Sequence, residues 1–190
     1  SLQIGVRILE IETGLLAGQA NGAVTARYGD TVVLATAVMS KGASNISGYF
    51  PLMVDFEERY YAAGKIKGSR FIKREGRPSD DAILGARAVD RTIRPLFNSR
   101  MRNEVQVVLT VLSFDGENDP DTLSIIAAST ALSISNIPWN GPAGAVKIGK
   151  VNGEFVLNPV VEETTGGNLE LVLSGTKDKI NMIEAGVKEL

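Results

Sequence analysis

The sequence predicts a single α+β domain in which a mixed β-sheet packs against helices and strands outnumber helices. Hydrophobic residues make up 44% and charged residues 22% of the 190 residues, which is typical of a folded soluble domain. Short β-branched segments separated by glycine-containing turns recur along the chain. Two further segments have helical periodicity and a capping residue at their start. Because no linker or low-complexity tract divides the chain, we expect one domain over residues 1–190.

The first forty residues are predicted to form β-structure. Ile4, Val6 and Ile8 alternate with polar neighbours, and residues 22–28 and 31–39 form two strands. The second of these has few charges and many β-branched residues, which favours a buried central strand. We expect further strands at residues 51–57, 105–112, 144–148, 155–157 and 169–174. The last fifteen residues fit a helix or a strand, and both alternatives stay open.

Two helices are predicted from their end signals. Ser79 can accept hydrogen bonds from free backbone N–H groups at the start of the first helix, and Pro95 ends it. The second helix begins at Asp119 and Pro120, an N-cap followed by proline at the first helical position. It ends before Pro138, and small residues on all its sides indicate close packing in more than one direction.

Positive charge is concentrated between residues 65 and 102. This segment holds eleven of the twenty Lys and Arg residues and four of the twenty-two Asp and Glu residues, a local formal charge of +7 against −9 for the rest. Basic segments of this kind usually bind a polyanion, because each phosphate that is neutralised releases counterions. The segment therefore indicates binding to nucleic acid.

Three arginines of the first helix are predicted to lie on one face. Arg87, Arg91 and Arg94 fall within about 60° of one another on a helix, roughly opposite its apolar stripe. Asp90 is in ion-pairing register with two of them. The alternative is an ordinary solvated face with helix salt bridges. One carboxylate cannot neutralise three guanidiniums, which favours a surface that faces an anion.

The segment before this helix mixes apolar and basic side chains. Phe71 and Ile72 are followed by Lys73 and Arg74, and Arg77 comes three residues later. Flat apolar groups can stack on the bases of a single strand while the cations follow its phosphates. The alternative, a surface loop whose Phe71 and Ile72 pack into the core, is equally compatible with the pattern.

Composition excludes several kinds of chemistry. The chain has no Cys and no His, which removes disulfides, thiolate nucleophiles, zinc sites of the Cys/His type and the Ser-His-Asp triad. Gly64 and Lys65 fail the spacing of a nucleotide-binding P-loop. The acidic cluster over residues 115–121 lacks the spacing of a calcium loop and is better explained by a turn and a helix cap. No apolar run is long enough to span a membrane and no secretory signal is present, so we expect a cytoplasmic protein of bacterial type, or one of an organellar matrix.

Two long motifs resemble a known family. KREGRPSDDAILGARAVDRTIRPLF, over residues 73–97, and NDPDTLSIIAASTALSISNIPWNGPAGAVKIG, over residues 118–149, resemble the polynucleotide phosphorylase family in its first RNase PH-like core domain. The resemblance covers nearly the whole chain. It implies an RNase PH-like fold, a homotrimeric ring around a channel, and a 3′-to-5′ exoribonuclease of mRNA degradation. In such an enzyme inorganic phosphate attacks the terminal phosphodiester of single-stranded RNA and releases nucleoside diphosphates.

The resemblance also assigns residues. The family's channel-neck loop, Phe-Phe-Arg-Arg, corresponds to Phe71, Ile72, Lys73 and Arg74. Ile72 cannot stack as an aromatic ring does, and Lys73 loses the two-pronged guanidinium, so the grip on RNA is expected to differ. The matching arginines are Arg77 and Arg87 for RNA binding, and Arg91 and Arg94 for supporting positive charge at the active site.

The remaining parts of such an enzyme are expected outside this chain. The resemblance places the phosphate-binding and Mg²⁺-binding residues in a second core, followed by KH and S1 domains, and it implies no metal site here. By itself the chain is expected to bind RNA weakly and to be inactive. The alternatives are a non-catalytic RNA-binding, ring-building subunit and a stand-alone RNase PH; the continuous second motif argues against the latter.

Overall fold

The computed structural model describes residues 1–44, 48–66, 76–151, 153–165, 167 and 169–187. These residues form the predicted α+β arrangement of mixed sheet and helices. The strands are β1 (Leu2–Ile4), β2 (Arg7–Thr13), β3 (Gly22–Tyr28), β4 (Thr31–Ala43), β5 (Leu52–Glu57), β6 (Asn103–Ser113), β7 (Gly144–Val151), β8 (Glu154–Leu157), β9 (Leu169–Gly175) and β10 (Ile180–Val187). The helices are α1 (Asp80–Ile93), α2 (Pro120–Ile134) and α3 (Val161–Thr165), with 3-10 turns at Tyr60–Ala63 and Arg94–Leu96.

The strands form two sheets. The larger has six strands in the order β1-β2-β3-β4-β6-β5, and the smaller has four in the order β10-β9-β7-β8. Neighbouring strands are antiparallel except β5 and β6, which are parallel because α1 lies in the connection between them. The sheet is therefore mixed, as the sequence predicts.

The two long helices join the sheets into one core. α2 contacts β3 and β4 of the larger sheet and β7 of the smaller, while α1 contacts β5, α2 and β10. Ala127, Ala128 and Ala131 of α2 are fully buried, which confirms close packing in several directions. Gly22 of β3 permits this approach, because a Cβ there would lie 2.1 Å from the carbonyl oxygen of Ala131. Among the described residues, none of the helices is long and apolar enough to cross a membrane.

Three elements differ from the sequence prediction or go beyond it. Ile4, Val6 and Ile8 do not share one strand, because the chain reverses at Gly5, whose φ is +59°, and Val6 lies at the turn with 87% of its surface exposed. The alternation of apolar and polar residues therefore spans β1, the turn and β2 rather than one strand. The short helix α3 was not predicted. The end of the chain is a strand, β10, as far as Val187, where the sequence left helix and strand open.

One face of the four-stranded sheet is apolar and open to solvent. On the inner face Ala145, Lys147 and Ser174 are buried. The opposite face carries Val146 paired with Leu173, and Ile148 paired with Leu171. Its rim is more exposed: Leu157 is 49% and Ile183 63% exposed. A continuous apolar sheet face of this kind is typical of a surface that another protein layer covers.

Candidate functional site

Helix α1 begins and ends where its sequence requires. The Ser79 hydroxyl accepts a hydrogen bond from the backbone N–H of Ala82 at 3.0 Å, and the hydroxyl of the same residue donates to Glu58 at 2.6 Å. Asp80 and Asp81 lie in the first turn, at the positive end of the helix dipole. The helix ends at Ile93, two residues before Pro95. Its buried side faces β5 and α2, which leaves the arginine side outward.

Arg87 and Arg91 are exposed on the outer face of α1. They lie opposite the buried residues Ala82, Val89 and Ile93, as helical geometry predicts. Among the described residues neither side chain has an ion-pair partner. An exposed guanidinium without an internal carboxylate partner has its N–H donors available for an external anion.

Arg94 has a different environment. Its guanidinium forms two bonds with the carboxylate of Asp90, and it donates to the carbonyl oxygens of Phe50 at 3.2 Å and Leu52 at 3.1 Å. The hydrogen bond to Asp90 raises the pKa of Arg94; burial opposes this and the charge of Asp90 adds to it. Arg94 therefore fastens the end of α1 to the beginning of β5. Its predicted supporting charge at an active site stays a prediction.

The predicted loop residues are only partly described. Phe71, Ile72, Lys73 and Arg74 lie outside the described residues, so their predicted role in RNA binding stays a prediction. Arg77 is described and exposed, just before α1. From the start of α1, Arg87 and Arg91 lie about 10 Å and 16 Å along the helix axis, from the rise per residue. Arg77, Arg87 and Arg91 are thus three exposed cations in α1 and the segment just before it.

Arg77 lines a large cleft. The cleft has a volume of about 790 Å³ and lies between the end of β5, the 3-10 turn at Tyr60–Ala63 and the N-terminal ends of α1 and α2. Its charge is mixed rather than uniformly basic, which the sequence did not predict. Lys65 and Arg77 face it from one side. Its carboxylates are Glu57, Glu58, Asp81, Asp119 and Asp121.

The N-terminal end of α2 is occupied by an internal ion pair. Asp119 caps the helix by accepting from the backbone N–H of Asp121 at 2.8 Å. Its other oxygen accepts from Lys147 Nζ at 2.9 Å, and Lys147 also donates to Glu170 at 2.6 Å. Burial would lower the pKa of Lys147, but the two carboxylates more than offset it and raise that pKa. A helix N-terminus can hold a phosphate, but here carboxylates of the chain itself take that place.

The carboxyl of Asp121 is unusual in the same region. Its pKa is raised to about 7, chiefly by burial and then by the charge of Asp119, with smaller increases from Glu58 and Asp81 and a decrease from Lys147. No hydrogen bond to its carboxylate oxygens is formed by the residues that the structure describes. The sequence gives no signal for the raised pKa of Asp121, because Asp121 is one of several acidic residues near the start of α2.

The remaining acids of the predicted cluster confirm the turn interpretation. Asp115 accepts from the backbone N–H groups of Glu117, Asn118 and Asp30, at 2.8, 2.8 and 3.0 Å. Burial alone would raise the pKa of Asp115, but these bonds and one from the Asn118 amide lower it strongly. Within the described parts of the chain, no group of three or more acidic residues is arranged to hold a metal ion.

Comparison with known proteins matches the chain to one family. The sequence model described as 3′ exoribonuclease family, domain 1, matches residues 5–138, and that described as domain 2 of the same family matches residues 141–190. The boundary between the two matched ranges lies between α2 and β7, where the smaller sheet begins.

Curated relatives are similar over the whole chain. It is 54% identical over 190 residues to a polyribonucleotide nucleotidyltransferase of Roseiflexus sp. (strain RS-1) and 55% identical to one of Geobacillus kaustophilus (strain HTA426). All of this chain is covered, but only 25% and 26% of those proteins. The chain therefore spans about a quarter of the length of these relatives.

Two solved structures share the fold at low sequence identity. Rice (Oryza sativa) Rrp46 superimposes with a TM-score of 0.77 at 18% identity, covering 96% of this chain and 82% of that one. A chain of the Archaeoglobus fulgidus exosome with RNA bound to the active site gives 0.70 at 20% identity, covering 97% and 79%. These likenesses concern the fold alone.

Proposed function

Because this chain belongs to the 3′ exoribonuclease (RNase PH) family, we propose that it is the first RNase PH-like core of a polyribonucleotide nucleotidyltransferase. Such an enzyme uses inorganic phosphate to cleave single-stranded RNA from its 3′ end, and it releases nucleoside diphosphates. Its cellular role is mRNA degradation in the cytoplasm. In the proposed enzyme this chain guides the RNA, and a second core binds phosphate and Mg²⁺.

The observation that carries the proposal is the pair of exposed guanidiniums on α1. Arg87 and Arg91 have no ion-pair partner among the described residues, whereas Arg94 is held by Asp90. Arg77, just before the helix, is exposed as well, and all three lie within the most basic part of the sequence. Exposed guanidiniums can bind the phosphates of a single strand. The guanidiniums would position the strand, and their charge would help stabilise the phosphoryl group under attack.

The carboxylate of Asp119 at the N-terminal end of α2 supports the proposal that a second core binds the phosphate. Asp119 and its ion pair with Lys147 fill the place where a helix N-terminus would otherwise attract phosphate. A carboxylate there repels an anion. Phosphate is therefore expected to bind at residues supplied by the second core.

The apolar face of the four-stranded sheet supports a multi-domain ring. Leu171 and Leu173 lie at its centre and Ile183 at its more exposed rim. The proposed occupant is a second RNase PH-like core, and three copies of the pair would close a homotrimeric ring. Leu171→Lys would then abolish association with the second core, whereas Lys177→Ala on the neighbouring turn would not.

A reconstitution assay tests the activity. The chain is combined with the second core, phosphate, Mg²⁺ and poly(A), and nucleoside diphosphate release is measured. Release is expected only with both parts present. The Arg87→Ala/Arg91→Ala double variant should lower it at least tenfold, while a Lys177→Ala/Lys179→Ala control, which removes two exposed charges elsewhere, should not. Activity that is indifferent to the arginines would contradict the guiding role, and release by hydrolysis to monophosphates would contradict phosphorolysis.

A further inference from the structure

Helices α1 and α2 meet where Gly85 faces Asp121. A Cβ placed on Gly85 would lie 2.8 Å from Asp121 Oδ1 and 3.3 Å from the ring of Phe56. Gly85 is buried, and Asp121 is half-buried on the wall of the cleft. The carboxyl of one helix thus packs against the backbone of the other, with no room for a side chain at position 85.

The groups that face Asp121 are mostly acidic. Asp119 precedes it on the same cap, Asp81 faces it from α1, and Glu58 faces it from the segment after β5. The cations nearby are Lys147 of β7, held by Asp119 and Glu170, and Arg59, paired with Glu57. Lys65 and Arg77 lie on the wall of the same cleft. Ionisation of Asp121 would therefore add a negative charge to a group of carboxylates, and none of the described cations is bonded to Asp121.

We propose that the Asp121 carboxyl is a proton-dependent latch between α1 and α2. When neutral, it packs against Gly85 and holds the first turns of α1 against α2. When ionised, it is repelled by Asp81 and Asp119 and moves away from Gly85 into the cleft, where more water can solvate it. The N-terminal half of α1 is then released from α2.

The titration expected for this group falls in the physiological range. Burial is the largest cause of the raised pKa, about 7, and the charge of Asp119 is the next. Between pH 6 and pH 8 the carboxyl would change from mostly neutral to mostly ionised. The latch does not depend on the proposed function. One consequence does rest on it: Arg77 immediately precedes α1, so the latch would move a proposed RNA-binding residue.

Hydrogen–deuterium exchange tests the latch. Protection factors, corrected for the intrinsic pH dependence of exchange, are measured at pH 6 and pH 8 for amides of residues 80–86. In the wild-type chain they should fall about tenfold, since a group with a pKa of 7 is about nine-tenths ionised at pH 8. In Asp121→Asn, which stays neutral, they should remain constant. Asp178→Asn, an exposed acid on the β9–β10 turn, should behave as wild type.

Equal pH dependence in wild type and Asp121→Asn, or none in wild type, would overturn the latch. Should Asp121→Asn not fold, the carboxyl carbon of Asp121 in the wild-type chain is titrated by NMR. An apparent pKa near 7, with amide shifts in residues 80–86 that follow the same curve, supports the proposal. A value near 4, or no response of α1, overturns it. RNA affinity measured over the same pH range separates the latch from the RNA role, because exchange can change while affinity does not.

Discussion

At the C-terminal end of α1, the guanidinium of Arg94 forms a two-point ion pair with the carboxylate of Asp90, from Nε to Oδ2 at 2.8 Å and from Nη2 to Oδ1 at 2.6 Å. The same guanidinium bonds the carbonyl oxygens of Phe50 and Leu52. Three residues earlier, Arg91 is exposed. Arg94 thus stabilises the fold, whereas Arg91 is exposed and accessible to a ligand.

Arg94→Ala is expected to destabilise the fold. It removes the guanidinium that donates to the carbonyl oxygens of Phe50 and Leu52, although Phe50 keeps the hydrogen bond from the backbone N–H of Leu52. The free energy of unfolding should fall by about 2 kcal/mol. Because the Arg94 side chain is 41% exposed, solvent limits the contribution of the ion pair itself. Arg87→Ala should change stability by less than about 0.5 kcal/mol. Urea denaturation of both variants measures the difference, and equal stabilities would contradict the structural role.

Lys147→Met is expected to lower the free energy of unfolding by more than Arg94→Ala does. The Lys147 side chain is only 10% exposed, and its loss leaves Asp119 and Glu170 without their shared cation. Breaking such a pair from one side costs about 3 kcal/mol. The folded-state pKa is raised above 10.5, so this stabilisation is complete below pH 10.5 and lost as pH rises through the higher value. Thermal denaturation near neutral pH should show the deficit, and an unchanged melting temperature would refute it.

Asp121→Asn is expected to change the pH dependence of stability. The folded-state pKa, about 7, lies above the ordinary value of 3.8. The stabilisation from the neutral carboxyl is therefore complete below pH 3.8 and lost as pH rises through 7. The wild-type chain should lose stability relative to Asp121→Asn between pH 5 and pH 8, by an amount on the order of 3 kcal/mol. Parallel stability curves from denaturation at several pH values would show that Asp121 ionises normally.

The helices and central strands could be predicted because their signals are local. Ser79 and Asp119 cap the helices that follow them, and the β-branched run after Thr31 forms the central strand β4. Periodicity was misleading around Val6, since a tight turn preserved the alternation while reversing the chain. The sequence left helix and strand open at the end of the chain, because β10 depends on pairing with β9 and its own residues show no clear alternation.

The candidate site could be predicted only in part. Helical spacing predicted one face for Arg87, Arg91 and Arg94. Arg87 and Arg91 are exposed, but the spacing could not tell that Arg94 would be half-buried and held by the backbone at the start of β5. The contact of Lys147 with Asp119 and Glu170 joins distant segments, and so does that of Asp121 with Gly85. Such contacts depend on tertiary packing, for which a single sequence carries no local signal.

The salt dependence of single-stranded RNA binding tests the central claim most directly. Each phosphate contact contributes about 0.7 to the slope of log K against log salt concentration for a single strand. The Arg87→Ala/Arg91→Ala variant should therefore bind more weakly at low salt, and the magnitude of its slope should be lower by about 1.4. The Lys177→Ala/Lys179→Ala control should keep the wild-type slope. If the arginine variant keeps that slope as well, the exposed face of α1 does not contact RNA phosphates.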